Sequence, residues 1–127
     1  MTAYYAGDAS EFFFLSDGIR DIVYAGEGND RGGISFPGPA TVYAGGGNDQ
    51  VFLSSVFEAA TAVFYGDAGD DALFGGGLAD RLYGGDGNDL LAGAAAASAS
   101  LDGLVRAALD SSTGDDVLDG GTGSDAI

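Results

Sequence analysis

Hydrophobic residues recur along this chain at a spacing of nine residues. Residues 66–92 divide without remainder into GDAGDDALF, GGGLADRLY and GGDGNDLLA, and each unit has a large hydrophobic residue at its eighth place. The same frame fits AGEGNDRGG at 25–33 and AGGGNDQVF at 44–52, and it returns in STGDDVLD and GGTGSDAI near the C-terminus. The eighth place is occupied by Val23, Val42, Val51, Phe64, Leu73, Leu82, Leu91 and Leu118. A fixed period of this kind predicts a repeat architecture with one short strand in each unit.

The polar places of the unit are as regular as the hydrophobic ones. The first places are rich in glycine, which allows a tight turn with positive φ and a close approach of main-chain carbonyl groups. Acidic residues occupy the sixth place in most units, and Asp outnumbers Glu by 17 to 3 in the whole chain. Each unit is therefore predicted to be a glycine-rich turn that carries a carboxylate and leads into a strand.

Two strands and two turns make one coil of about 18 residues, and stacked coils pair each strand in parallel with its equivalent in the next coil. The chain is therefore predicted to be all-β, with two parallel sheets and a thin core of eighth-place residues between them. We expect a single domain over residues 1–127, with degenerate units at 1–24 and repeats at 25–92. An insertion or degenerate coils follow at 93–110, and repeats return at 111–127.

Residues 93–110 (GAAAASASLDGLVRAALD) interrupt the pattern, because the glycines and the acids are lost together. After Ser100, a candidate N-cap, helical spacing relates Leu101, Leu104, Val105, Ala108 and Leu109. One interpretation is a short amphipathic helix near 100–110 that lies on the solenoid. The other is two degenerate coils, since 18 residues equal two periods and the frame resumes undisturbed.

The composition restricts metal ligation to oxygen. The chain has no Cys and no His, which excludes thiolate and imidazole metal sites, a thiol nucleophile and the H-E-x-x-H motif. No G-x-S-x-G elbow occurs either, so we do not expect an enzyme. A formal charge of −16 argues against nucleic acid and anionic membrane surfaces, and no apolar run is long enough for membrane insertion. Cations are the expected partners.

The units resemble the repeats-in-toxin (RTX) family, whose nonapeptide consensus is G-G-x-G-x-D-x-U-x. GGDGNDLLA at 84–92 matches this consensus completely, and the units at 44–52, 66–74 and 75–83 each depart from it at one place. The resemblance implies a parallel β-roll that binds Ca²⁺ between successive coils, through sixth-place carboxylates and main-chain carbonyls of the turns. The residue types agree, because Ca²⁺ takes six to eight hard oxygen ligands at about 2.3–2.6 Å in a tolerant geometry.

Carried onto this chain, the resemblance implies two edges of turns, since alternate units lie on the same side of the roll. One edge stacks Asp30, Asp49, Asp71 and Asp89, which implies three calcium sites between coils. Glu11 or Asp8 would close a fourth site. On the opposite edge Ala40 and Ala62 hold the sixth place between Asp21 and Asp80, which argues against calcium there. The implied side-chain ligands are Asp21, Asp30, Asp49, Asp71, Asp80, Asp89, Asp116 and Asp125. The implied carbonyl ligands are those of Gly26, Gly28, Gly45, Gly47, Gly66, Ala68, Gly84 and Asp86.

The turns around Ala40 and Ala62 are longer than the others and rich in apolar residues. They contain Phe36, Pro37, Pro39, Val56 and Phe57. Two interpretations stay open: these loops cover the core, or they form a contact surface for a partner or another copy. A homo-oligomer through the Phe36 and Phe57 loops, or through the ends of the roll, is accordingly one expectation.

The charge balance predicts that folding waits for metal, because 20 acidic residues face only 4 basic ones. A site at 100 times its Kd adds about 2.7 kcal/mol to stability. Extracellular calcium modules have Kd values of about 10⁻⁴–10⁻³ M, far above resting cytosolic calcium. The chain is therefore predicted to be unfolded inside the cell and folded outside it.

The resemblance also implies type I secretion, and the N-terminus lacks the residue order of a signal peptide. Our first hypothesis is an extracellular or cell-surface calcium-binding β-roll with a structural or scaffolding role. One alternative is a surface-layer or filament subunit that stacks end to end, because the chain begins and ends within units. Another is the C-terminal RTX part of a secreted protease, lipase or toxin.

Overall fold

The computed structural model describes residues 3–15, 22–35, 39–53, 61–75, 79–92, 117–123 and 127. The described residues form strands and turns. In chain order the strands are β1 (Ala3–Tyr5), β2 (Phe12–Leu15), β3 (Ile22–Glu27), β4 (Arg31–Ile34), β5 (Ala40–Gly46), β6 (Gln50–Leu53), β7 (Ala62–Ala68), β8 (Ala72–Phe74), β9 (Arg81–Asp86), β10 (Leu90–Ala92) and β11 (Val117–Thr122).

The strands alternate between two parallel sheets. Sheet A has the order β1-β3-β5-β7-β9-β11, and sheet B has the order β2-β4-β6-β8-β10. Each coil of chain adds one strand to each sheet, and every strand pairs in parallel with its equivalent in the next coil. The predicted all-β parallel β-roll is therefore confirmed.

The eighth-place residues fill the space between the sheets, as the repeat predicts. Val42 pairs with Phe64, and Phe64 pairs with Leu82, so the same place of each unit lies at the same point of the core. Fully buried at the eighth place are Val23, Val42, Val51, Phe64, Leu73, Leu82 and Leu91. The eighth-place residues thus form one row from each sheet along the roll axis, and the core also contains Ile34, Leu53 and buried alanines such as Ala25 and Ala44.

Gly32 leaves a gap at the eighth place of its unit, and an aromatic ring from the neighbouring coil fills it. Gly32 pairs with Phe13 across β2 and β4. A Cβ atom built on Gly32 would overlap the ring of Phe13, whose side chain is buried. Phe13 thus supplies the apolar volume that a larger residue supplies in the other coils.

A row of stacked tyrosines covers the outer face of sheet A. The in-register pairing of the strands aligns one tyrosine from each of five coils: Tyr5, Tyr24, Tyr43, Tyr65 and Tyr83. Neighbouring ring centroids are 4.8–5.1 Å apart, with interplanar angles of 4–10°. Aromatic pairs contribute about 0.5–1.5 kcal/mol each beyond the area they bury, so this row strengthens the coil-to-coil contacts.

Several predictions concern residues outside the described part of the chain. These are the ligands Asp21, Asp116 and Asp125, the loop residues Phe36 and Phe57, and the 93–110 segment with its two interpretations. In sheet A, β11 pairs directly with β9. Within the described residues, no helix is long and apolar enough to cross a membrane.

Candidate metal centre

The turns that lead from sheet A to sheet B bring four aspartates into one column. Each directly precedes a strand of sheet B, and the parallel pairing of β4, β6, β8 and β10 aligns them. They are only 2–3 % exposed: Asp30, Asp49, Asp71 and Asp89. We call this column the carboxylate ladder, and the side of the roll that carries it the ladder edge. The resemblance to the RTX family implied this alignment, although Asp30 and Asp49 are 19 residues apart and Asp49 and Asp71 are 22 apart.

One repeated hydrogen bond holds the ladder. The main-chain N–H of each sixth-place residue donates to Oδ1 of the aspartate in the next coil. The donor-to-acceptor distances are 2.8 Å from Glu11 to Asp30, 2.7 Å from Asp30 to Asp49, 2.8 Å from Asp49 to Asp71 and 2.9 Å from Asp71 to Asp89. Coil-to-coil stacking therefore uses one oxygen of each carboxylate.

The second carboxylate oxygen is left for another role. Oδ2 of Asp30, Asp49 and Asp71 is buried and has no hydrogen-bond partner. A buried carboxylate oxygen without a partner opposes folding, and native structures contain few of them without an ion, a water molecule or a function to explain them. A cation beside these oxygens is the explanation that fits a column of hard oxygen ligands.

Carbonyl oxygens approach the same region in the coils that have glycine at the first place. A Cβ atom built on Gly66 would overlap Oδ2 of Asp71 and lie 2.5 Å from the carbonyl oxygen of Gly84. A Cβ atom built on Gly84 would meet Oδ2 of Asp89 and the carbonyl oxygen of Gly120 in the same way. A carboxylate oxygen and a carbonyl oxygen from adjacent coils thus converge beside each of these glycines.

The units of Asp30 and Asp49 differ, because they have alanine at the first place. Ala25 and Ala44 are fully buried in the core cluster. The ladder edge therefore contains two kinds of turn, one with a methyl group at the first place and one without it. At Gly66, Asp71 Oδ2 and the carbonyl oxygen of Gly84 approach the position that such a methyl group would take.

The electrostatics of the ladder favour bound positive charge. Burial is the main cause that raises the pKa of Asp71 to about 7; the charges of Asp49, Asp89 and Asp67 add to it, and the hydrogen bond from the Asp49 N–H opposes it. Burial likewise raises the pKa of Asp49 to about 6, and it raises the pKa of Asp30. The metal-free ladder thus opposes full ionisation, and a divalent cation would reverse this preference.

A metal ion on this edge would need main-chain ligands as well as side chains. Within the described residues, no three acidic side chains are grouped so as to hold a metal ion. Two ladder aspartates and carbonyl oxygens of the turns are the ligand set that the geometry offers. Such mixed shells of carboxylate and carbonyl oxygen suit Ca²⁺ better than Mg²⁺, which demands a smaller octahedron.

The predicted carbonyl ligands come from different places of the unit in different coils. Those from the first two repeats hold the second and fourth places, whereas those from the later two hold the first and third. In the structure the third-place carbonyls of Ala68 and Asp86 accept hydrogen bonds of 2.8 Å from the N–H groups of Gly47 and Gly69. The first-place carbonyl of Gly84 lies beside Asp71 Oδ2.

A second ladder runs along the surface of the same turns, at the fifth place. Here the side chain accepts from the N–H of the next coil, so its hydrogen bonds run in the opposite direction to those of the carboxylates. The acceptors are Ser10, Asn29, Asn48 and Asp70, at 2.8–3.0 Å. The Asn that precedes Asp30, Asp49 and Asp89 in the sequence is the signal that could have indicated this ladder.

The opposite edge has one described turn of the ladder type. Oδ1 of Asp80 accepts a 2.7 Å hydrogen bond from the Ala62 N–H, and a Cβ atom built on Gly75 would overlap Asp80 Oδ2. The Ala40 N–H instead donates to the carbonyl oxygen of Thr61 at 3.0 Å. The carboxylate column is therefore interrupted at Ala62 and Ala40, where the sequence predicted the interruption.

The first coil ends the ladder with a different carboxylate. Glu11 holds the sixth place, in register with Asp30, and its Oε2 accepts a 3.1 Å hydrogen bond from the Gly7 N–H of its own turn. Asp8 is exposed and lies earlier in that turn. Of the two residues predicted to close a fourth site, Glu11 thus has the position that matches the ladder.

Comparison with protein families agrees with the geometry. A family model described as the RTX calcium-binding nonapeptide repeat matches four segments that together cover more than half of the chain. The matched segments are residues 20–31, 41–55, 65–97 and 109–127. Searches against curated proteins and against solved structures returned no significant match.

Proposed function

Because this chain belongs to the RTX calcium-binding nonapeptide repeat family, we propose that it is a secreted protein whose roll folds on calcium outside the cell and serves a structural or scaffolding role. The family binds calcium, and its repeat fold is itself non-catalytic. The observation that carries the proposal is the row of buried Oδ2 atoms without hydrogen-bond partners. Bound Ca²⁺ would supply the positive charge and the oxygen coordination that these atoms lack.

We assign the main calcium sites to the ladder edge. One ion lies between Asp30 and Asp49, one between Asp49 and Asp71, and one between Asp71 and Asp89. A fourth lies between Glu11 and Asp30, whose positions are in register. Carbonyl oxygens of the turns complete each shell, and that of Gly84 supports this assignment, since it and Asp71 Oδ2 both approach the Cβ position of Gly66.

We assign a further ion on the opposite edge to Asp80. Its carboxylate is buried, and it has the same relation to Gly75 that Asp71 has to Gly66. The equivalent residue in the preceding coil is Ala62, which has no carboxylate. The other ligands of this ion must therefore come from other residues. Asp21, Asp116 and Asp125 remain predicted ligands.

Calcium would control folding through the cost of burying the ladder. Without a cation, the closely stacked carboxylates repel one another and are removed from water, so the folded chain is disfavoured. Each ion that binds only the folded state adds RT ln(1 + [L]/Kd) to the free energy of unfolding. With extracellular affinities of about 10⁻⁴–10⁻³ M, the sites would fill outside the cell and stay empty in the cytosol.

The folding proposal can be tested by circular dichroism of the whole chain. Far-ultraviolet spectra report strand formation, and near-ultraviolet spectra report the tyrosine row, because the chain has six Tyr and no Trp. We expect both signals to appear on addition of millimolar Ca²⁺ and to be lost in EDTA. Mg²⁺ at the same concentration is the control and should leave the chain unfolded. Equal strand content in EDTA and in calcium would contradict the proposal.

The export proposal needs a separate test in cells. We expect the chain to reach the medium when it is produced together with a bacterial type I secretion system, and to stay inside when the ATPase of that system is inactive. Accumulation outside the cell in both strains, or in neither, would contradict export by this route. Calcium binding in vitro would be unaffected by either result, so the two proposals can fail independently.

A further inference from the structure

The outer face of sheet A differs in charge from the rest of the molecule. Two columns of side chains alternate with the buried core residues and point outward: the tyrosine row and a column two residues earlier in each strand. In the first four coils the second column consists of Ala3, Ile22, Thr41 and Val63, all partly exposed. Both columns are therefore uncharged in these coils, although the chain carries a formal charge of −16.

Charged residues flank the two columns. Arg81 and Asp119 continue them towards the C-terminal end of the sheet, and Asp67 lies two residues after Tyr65. An uncharged face does not attract ions or polyelectrolytes, and the negative charge of the whole chain repels anionic polymers. The partner that fits this face in charge is therefore a neutral one.

The tyrosine row offers hydroxyl groups at a constant spacing. Its ring centroids are 4.8–5.1 Å apart and its rings are nearly parallel, so the ring faces cover one another. Tyr5 is 71 % exposed and Tyr24 is 38 % exposed, and the other three tyrosines are partly exposed. The surface left to a ligand consists of ring edges and hydroxyl groups, and each hydroxyl group can donate and accept a hydrogen bond. A straight row of this kind suits a ligand that is itself extended and periodic.

We propose that the tyrosine row is a binding surface for an extended, neutral β-1,4-linked polysaccharide. Successive sugars of such a polymer advance by nearly the same distance as successive tyrosines of the row, so each tyrosine would meet one sugar. The sugars carry no charge and have hydroxyl groups along both sides of the polymer, which matches the chemistry of the row. Each contact is weak, but contacts in register add up, because every contact after the first is intramolecular.

The parallel pairing of sheet A keeps the spacing of the row constant. Each tyrosine lies in register with the next one, so the spacing is set by the distance between neighbouring strands, about 4.8 Å. The row is assembled from five coils and exists only in the folded roll. Under the proposed function the roll folds on calcium, so polysaccharide binding should require calcium although the ion does not contact the sugar.

Sedimentation of the whole chain with insoluble cellulose and chitin in millimolar Ca²⁺ tests the inference, with circular dichroism to confirm the fold. We expect wild type to sediment with at least one of these glycans and not with granular starch, whose α-linked polymers coil with a different repeat. A variant with Tyr43→Phe and Tyr65→Phe keeps the stacked rings but loses two hydroxyl groups, so its binding should weaken about tenfold or more. The matched control is Tyr4→Phe, because Tyr4 packs against Phe13 and the core instead of standing in the row. It should bind as wild type does.

Three results would overturn the inference: a folded wild type that sediments with neither glycan, equal binding to starch, or equal affinities of the row variant and Tyr4→Phe. Analytical ultracentrifugation covers the other partner that a sheet face could take. If no glycan binds and wild type self-associates through the row, the partner is a second copy and the inference fails. If the roll folds without calcium, the proposed function fails, and sedimentation in EDTA still decides this inference.

Discussion

The two edges of the roll join the same sheets but satisfy the sixth-place N–H groups differently. On the ladder edge, each N–H donates to a carboxylate of the next coil. On the opposite edge, the Ala62 N–H donates to the carboxylate of Asp80, but the Ala40 N–H donates to the main-chain carbonyl of Thr61. The alanine methyl groups are buried in the core cluster. Strand pairing and core packing therefore do not require a carboxylate at this place.

This difference between the edges supports a ligand-binding role for the ladder. A buried methyl group stabilises a core, whereas a buried carboxylate without full compensation opposes folding. The roll tolerates alanine on one edge, yet it keeps four aspartates in a continuous column on the other. Each aspartate uses Oδ1 for stacking, but the buried Oδ2 of Asp30, Asp49 and Asp71 has no hydrogen-bond partner, which points to a ligand, and Ca²⁺ is the ligand of the family to which the chain belongs.

The largest effect is expected from Asp71→Asn, because Asp71 is shared by two proposed sites. The amide keeps an oxygen that can accept from the Asp49 N–H, but the charge is lost. At calcium 100 times above Kd, loss of two ions would lower the free energy of unfolding by about 5 kcal/mol. In EDTA the same variant should be more stable than wild type, since a buried charge has been removed. Urea titrations in calcium, and circular dichroism in EDTA at an acidic pH where the metal-free chain is partly folded, check this reversal of sign.

Two further variants are compared with Asp71→Asn: a larger truncation at the same residue and a surface control. Asp71→Ala also removes the acceptor of the Asp49 N–H, so it should cost about 1–3 kcal/mol more than the Asn variant in either condition. Asp70→Asn should change stability by less than about 0.5 kcal/mol, as expected for a surface substitution. If Asp71→Asn is destabilised equally in EDTA and in calcium, its role is structural and the two edges do not differ in metal binding.

The stability of the metal-free protein should depend on pH because of the carboxylate ladder. The pKa of Asp49 is about 6 and that of Asp71 about 7 in the folded state, above the ordinary value of about 3.9. Between about pH 4 and 7 the folded state then binds more protons than the unfolded state, so stability falls as pH rises. Calcium must displace these protons, so its affinity rises over the same range.

Circular dichroism in EDTA across this pH range measures the effect. Strand content should increase as the solution is acidified from neutral pH, and a lower calcium concentration should be required for folding. The control is Asp71→Asn, in which the change should be weaker because one of the raised carboxylates is missing. A metal-free chain that gains stability between pH 5 and 7 would contradict the account of the ladder edge.

Asp80→Asn tests the opposite edge and should have about half the effect of Asp71→Asn. Asp80 has an alanine in the preceding coil, so it takes part in one proposed site rather than two. Loss of one ion corresponds to about 2.7 kcal/mol at calcium 100 times above Kd. Native mass spectrometry counts the ions directly. If Asp80→Asn and Asp71→Asn lose the same number, the two edges are equivalent.

Effects smaller than that of Asp71→Asn are expected from Gly66→Ala and its counterpart Gly75→Ala. Each added methyl group would meet the carboxylate of its own turn, Asp71 or Asp80, and such overpacking costs about 1–3 kcal/mol. Gly66→Ala should also weaken calcium binding by the ladder, whereas Gly75→Ala should leave the ladder sites unchanged. Calorimetry distinguishes the two, and an equal loss of ladder sites in both variants would contradict the comparison.

Much of this difference between the edges could be predicted from the sequence, because the nine-residue period fixes which residues stack. The buried eighth-place core follows from the repeat, whereas the resemblance to the RTX family implied the alignment of Asp30 with Asp49 and the break at Ala40 and Ala62. A parallel roll carries each place of the unit to the same point of the next coil. Residue identity at one place is then enough to describe a column of the structure.

What could not be predicted depends on side-chain conformation or on neighbouring coils. The filling of the Gly32 gap by Phe13 requires the register of β2 on β4, in a region where the repeat is degenerate. A sequence pattern does not specify side-chain rotamers. It could not show that Oδ1 of each ladder aspartate accepts a hydrogen bond while Oδ2 has none, or that Glu11 accepts from the Gly7 N–H. The positive φ of Asp67 could not be predicted either, since the sequence shows only that Asp replaces the consensus glycine at this place.

The central claim is that calcium at the carboxylate ladder completes the fold, and a calcium titration of the Asp71→Asn variant beside wild type tests it most directly. Tyrosine circular dichroism and native mass spectrometry on the same samples relate folding to the number of ions bound. We predict that wild type folds cooperatively as the ladder fills, and that Asp71→Asn binds two ions fewer and needs at least tenfold more calcium, about 1.4 kcal/mol or more. Folding and ion counts identical in the two proteins would contradict the claim.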